Sequence, residues 1–300
     1  MTRQTGNFDD FGMATVTLAG PLEVRLTAIR DAGFTQVMLD AGDIAQHPGG
    51  LEAAARAVKG SGLRVTGFQW LRDFEGLSGR QHAYKLEVAK AMLQMAQAVG
   101  APMLMVSSST HPASAKDLVA IARDLRKLAM LAIPLGLRVA YEGVGGGRAV
   151  RDCFEAWDAV DRADVPNLGV AIDTAHTLLA GTPLDDLDLI EPDKIFVVRL
   201  ADVFAAEGPG TATPDHTAQH RVFPGDGLLG DQVAALVLRL ADLGFRGDYS
   251  FEVFNDDYRQ LPPRLVSQRA RVAAEWLGED VLRRSVPLPG QMRLRPVRSA

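Results

Sequence analysis

The sequence predicts an α/β protein, a single (β/α)8 TIM barrel over residues 1–282 with a tail over 283–300. Three observations carry this. Eight short apolar runs alternate with longer amphipathic runs, which implies parallel strands joined by right-handed helical crossovers. Eight such units within 300 residues suit a closed barrel better than an open sheet. Glycine also falls between helical and strand patterns in GSGLRV, AVGAPM, PLGLRV and DLGFRGDYS, where a helix C-terminus favours it.

Taken in order, strands are expected over 13–18, 36–40, 64–70, 102–107, 138–142, 169–173, 195–201 and 249–253. Helices are expected between them. In 21–32 the residues Leu22, Leu26 and Ile29 share a face, and in 83–99 Leu86, Ala89, Leu93 and Ala96 recur at helical spacing. The same pattern runs over 115–135, 150–163, 228–243 and 263–277. After Leu282 the tail RRSVPLPGQMRLRPVRSA is basic and contains proline, so it reads as a loose arm or as a segment that packs on a neighbouring subunit.

Composition narrows the function classes. Hydrophobic residues make up 47% of the chain, enough for a large core. The net charge of −5 is spread along the sequence, which argues against a nucleic-acid partner. Cys153 is the single cysteine, so no internal disulfide forms, and it reads as a core or helix-face thiol. The N-terminus MTRQTGNFDDFG is polar, and no apolar run approaches the roughly 20 residues of a membrane span. The expectation is a cytoplasmic protein with no membrane partner. Exposed helix faces on such barrels admit a homodimer.

The chemistry sits at the strand ends. Barrel enzymes build their sites at the C-terminal face. Glu142 ends LRVAYE, Asp173 ends LGVAID, and Glu252 follows YSF. A carboxylate at the end of a buried strand is costly without a partner. Three such oxygen donors suit a divalent metal (Mg, Mn or Co), which polarises a carbonyl and stabilises an enolate. His176 stands three residues past Asp173 and is a candidate proton carrier. Arg199 and Asp202 fall at the end of the seventh strand. The following loop, HTAQHRVFPGDG, offers Arg221 as an anion-binding side chain. Arg72, after the third strand in WLRDFEG, is a second one unless Asp73 or Glu75 pairs with it. GVGGG over 143–147 lacks the lysine and spacing of a phosphate loop, and reads as a turn passing close to the site.

Together these motifs resemble the xylose-isomerase-like barrel superfamily of sugar-phosphate isomerases and epimerases, over roughly residues 12–278. Within it, the segments RDFEG, IDTAH, HRVFPG and EVFND resemble the bacterial 3-dehydroshikimate dehydratases. That resemblance implies a metal-dependent lyase converting 3-dehydroshikimate to protocatechuate, a step of aromatic catabolism. It maps metal ligands to Glu142, Asp173 and Glu252, catalysis to His176, and carboxylate binding to Arg72 and Arg221; beside it, Glu142 and Glu252 are candidate catalysts as a proton-exchanging pair, and Arg199 and His220 are further candidates for substrate binding. The fourth metal ligand of the family falls on Arg199, where glutamine or histidine is expected. Arginine cannot ligate a metal. Three carboxylates and water then hold the ion, or His216 or His220 substitutes, or Arg199 takes the cation's place. MLDAGDI at the second strand is also less acidic than the family pattern. The substrate is expected to be a carboxylated or polyhydroxylated small molecule, and two other readings stay open: a ketose or sugar-acid isomerase or epimerase on the same barrel, and a metal-free protein that binds a carboxylated ligand or a partner without turnover.

Overall fold

A computed structural model describes residues 8–204 and 220–283. Eight parallel strands close into a barrel: β1 (Phe11–Ala14), β2 (Gln36–Asp40), β3 (Arg64–Arg72), β4 (Met103–Ser107), β5 (Arg138–Glu142), β6 (Leu168–Asp173), β7 (Ile195–Leu200) and β10 (Asp248–Phe251). The order around the ring follows the chain, with β10 closing on β1. Two further strands, β8 (Asp202–Val203) and β9 (Arg221–Val222), form a separate antiparallel pair after β7.

Outside the ring lie α1 (Leu22–Asp31), α2 (Ala41–Ala45), α3 (Gly50–Gly60), α4 (Gly79–Ala98), α5 (Leu118–Ala132), α6 (Cys153–Ala163), α7 (Thr174–Leu179), α8 (Gly230–Asp242) and α9 (Pro263–Glu275). Acidic side chains cap several of them. Asp152 accepts from the Phe154 and Glu155 amides at the start of α6, both at 2.9 Å. Cys153 is buried on α6, and burial pushes its thiol up to about 12, which agrees with a core thiol. No helix among the described residues is long and apolar enough to cross a membrane.

Strand residues alternate between two cores, as a period of two requires. Val37, Leu39, Val139, Tyr141, Val170, Ile172, Val198, Leu200, Tyr249 and Phe251 pack outward under the helices. Met38, Met103, Met105, Ala140, Ala171 and Val197 form a second cluster filling the ring. Glu142, Asp173 and Arg199 lie two residues beyond Ala140, Ala171 and Val197, so they share the inward parity at the C-terminal end.

The first strand is shorter than expected. It gives way at Thr15 to a 3-10 turn, where the Thr15 hydroxyl accepts from the Asp40 amide at 2.9 Å. The tail beyond Arg283 and His216 lie outside the described residues.

Candidate active site at the barrel mouth

The three carboxylates converge, as the strand ends predict, but the cation between them is a guanidinium. Asp173 on β6 stands in register beside Arg199 on β7, and Arg199 pairs with Ser250 on β10, two residues before Glu252. Glu142, Asp173, Arg199 and Glu252 are all essentially buried. Arg199 Nη1 donates to Glu142 Oε1 at 2.5 Å and contacts Oε2 as well. Its Nε donates to Glu252 Oε2 at 2.9 Å, and its Nη2 pairs with Glu252 Oε1. Asp173 Oδ2 lies 4.0 Å from Nη1.

A second guanidinium completes the cluster. The loop after β7 folds back as the β8–β9 pair, and β9 delivers Arg221 into the barrel mouth. Asp202, fully buried, fastens that loop: it accepts from Val203, Leu229, Gly227 and Gly225 amides at 2.7, 2.8, 3.2 and 3.3 Å. Arg221 Nη1 then donates to Asp173 Oδ2 at 2.7 Å. Its Nε is buried with no partner among the described residues. His220, the preceding residue, is exposed and bridges Asn255 through its backbone. Successive strand residues face opposite ways, so seating Arg221 inward turns His220 out, away from the expected role in substrate binding.

His176 meets the cluster from α7, whose N-terminus Asp173 caps by accepting from the His176 amide at 2.9 Å. Arg221 Nη2 approaches His176 Nε2 at 3.1 Å. Arginine only donates, so Nε2 accepts from it, while the Gly145 amide points at Nδ1 from 3.4 Å, and both ring nitrogens face N–H donors. Burial and the Arg221 and Arg199 charges hold the imidazole down to about 4, against the pull of Asp173. The ring is neutral at pH 7, and its lone pair is already engaged. Burial would raise the Asp173 carboxyl, but Arg221, then His176 and Arg199, pull it well below the usual carboxylate range. Burial pushes Glu142 up to about 7, against the Arg199 charge and with help from Asp173.

Above the cluster is a cavity of about 280 Å³, lined by Trp70, Arg72, Ser108, Glu142, His176, Arg199 and Arg221 among others. Asp173 and Glu252 are not in its lining; they hold the guanidinium groups from behind. Trp70 is the residue that sequence reasoning missed. Its ring stacks on Phe254 at 5.2 Å, and both Arg72 and Arg199 lie 4.6 Å from its centroid. The only cue was its place at the end of the third strand. Arg72 is exposed at the mouth and is not paired with Asp73 or Glu75. Asp73 instead accepts from the Thr110 amide at 2.9 Å, and Glu75 from the Tyr141 hydroxyl at 3.0 Å. The glycines after β5 let that loop close over the site: a Cβ on Gly143 would strike the Asp152 backbone, and one on Gly147 the Val150 carbonyl.

A divalent ion at this centre needs the oxygens that Arg199 and Arg221 already hold. Unit charges 4 Å apart repel by roughly 4 kcal/mol at an effective dielectric of about 20, and a divalent ion against a guanidinium by about twice that. Among the described residues, no group of three or more His, Cys, Asp or Glu side chains is arranged to hold a metal ion. The donor set as arranged does not fit the expected divalent metal.

The family model for the xylose isomerase-like TIM barrel matches residues 26–279. The chain belongs to that family. It is 36% identical over 253 residues to a 3-dehydroshikimate dehydratase of Pseudomonas aeruginosa, covering 84% of this chain. The chain spans 39% of that relative's length. A solved fusion of a xylose isomerase-like TIM barrel with a 4-hydroxyphenylpyruvate dioxygenase superimposes with a TM-score of 0.84 at 30% identity, over 94% of this chain and 45% of the other. The IolI protein, solved with a bound zinc atom, shares the fold at a TM-score of 0.79 and 18% identity, over 91% and 99% of the two chains.

Proposed function

We propose that this barrel is a lyase that removes water from 3-dehydroshikimate, or from a close cyclic hydroxyketone carboxylate, to give protocatechuate. The observation that supports it most is a cationic cavity at the barrel mouth in a chain similar to a 3-dehydroshikimate dehydratase. The cavity suits a small ring. Its walls offer Trp70 for the ring face, Arg72 for a carboxylate, and Arg199 with Arg221 for a ketone oxygen.

Glu142 is the proton carrier in this reading, because it lines the cavity and titrates near neutral pH. It takes the proton α to the ketone. The C–H electron pair becomes the enolate double bond, and negative charge moves to the oxygen facing the two guanidinium groups. The carbonyl re-forms as the β C–O bond breaks. Hydroxide leaves as water with the proton that Glu142 took, and enolisation of the ring gives the aromatic product. His176 stays neutral and accepts from Arg221.

The test is direct. Purified full chain is mixed with 3-dehydroshikimate, in buffer alone and with Mg²⁺, Mn²⁺ or Co²⁺. A rise in aromatic absorbance from protocatechuate is expected, and it should be lost in Glu142→Gln. No absorbance under any condition refutes the dehydratase reading.

A further inference from the structure

We infer that Arg199 is a permanent stand-in for a divalent cation, so that this barrel mouth works without metal and a single substitution turns it into a metal site. The argument begins with charge. Three buried carboxylates, Glu142, Asp173 and Glu252, face two buried guanidinium groups. Two guanidinium charges equal the charge of one divalent ion, so the cluster already has the balance that such an ion would give it. An added divalent ion would reverse that balance in a region closed to water, where repulsion is least screened.

Geometry agrees. The guanidinium group of Arg199 spans Glu142 on one side and Glu252 on the other, with Asp173 at 4.0 Å, so one planar group meets all three acids. Flat, forked donors suit two carboxylates at once, whereas a lysine would offer one point charge. Trp70 lies 4.6 Å from the same guanidinium carbon and leaves it little room to swing aside. Arg221 braces Asp173 from the far side at 2.7 Å. Each acid therefore has a fixed cationic partner before any ligand arrives. The consequence reaches the ligand too. A guanidinium offers N–H donors to an oxyanion but no open coordination position, so the centre favours a ligand oxygen that carries or develops negative charge.

This inference concerns the cation alone and holds whichever substrate the cavity takes. The full chain is dialysed against EDTA, then titrated with MnCl2, and bound manganese and melting temperature are read. The wild type should retain no stoichiometric manganese, and its melting temperature should not move. Arg199→Gln should bind one manganese per chain and gain about 5–10 °C when the metal is a hundredfold above its Kd. Arg199→His, which also supplies a ligand atom, is the second variant should the first fail to fold. Stoichiometric manganese in the wild type overturns the inference. So do folded Gln and His variants that take none.

Discussion

Glu75 is 2% exposed and holds two segments that border the cavity. One oxygen accepts from the Ser109 amide at 2.5 Å and the Tyr141 hydroxyl at 3.0 Å; the other is buried without a partner among the described residues. Burial dominates, and pushes its carboxyl up to about 7. A carboxyl whose folded pKa is raised adds stability that is complete below its unfolded pKa, about 4.5, and is lost as pH climbs through the folded value. The loss builds between those limits and reaches about 3 kcal/mol above the folded value. Urea unfolding of wild type and Glu75→Gln at pH 4.5, 6 and 8 checks this. The wild type should lose ground against the variant as pH rises; a constant gap would mean that Glu75 is ionised throughout. At this scale the sequence was a fair guide to which side chains meet, since Glu142 and Asp173 end barrel strands and Glu252 directly follows one. It could not say what they hold. One residue type, arginine, left three arrangements open, and only rotamers and distances choose among them. Glu75 was visible only as a partner for Arg72, because burial is not written in a motif.

The loop between β7 and α8 is the element on which the site depends. Asp202 collects four backbone N–H groups from it, and the two-residue strands β8 and β9 turn Arg221 inward. Asp202→Ala leaves those donors buried and unpaired, at a cost on the order of 3 kcal/mol. Its melting temperature should fall by about 6–12 °C. Ligand affinity should fall as well, because Arg221 loses its support. A variant with wild-type stability would show that β9 is held by other contacts. The eight barrel strands were legible because buried parallel strands form continuous apolar runs. The pair β8–β9 was not, since two residues show no period. Three helices were also missed, and the five residues of α2 are too few to show a pattern. In α3, GLEAAARAVKG, small alanines make up most of the inner face, and Ala54 and Val58 are its buried residues. In α7 the six residues after Asp173 are too few for a pattern. Which of His220 and Arg221 turns inward depends on the pleat of the two-residue strand β9, and no sequence period reports that.

Across the whole molecule, the ring of strands acts as a clamp. Its closure carries residues from β5, β6, β7 and β10 to one end, where no sequence-local contact could assemble them. The same closure buries them, and burial is what makes the identity of the central cation decisive. Fold and mouth followed from strand count and parity; the charge at the centre did not, because it rests on a single side chain and its three partners. The most direct test is anomalous diffraction from crystals of the full chain soaked in manganese. The account predicts guanidinium density from Arg199 between Glu142 and Glu252 and no anomalous peak inside the carboxylate ring. A manganese peak there, with Arg199 displaced toward solvent, would contradict it.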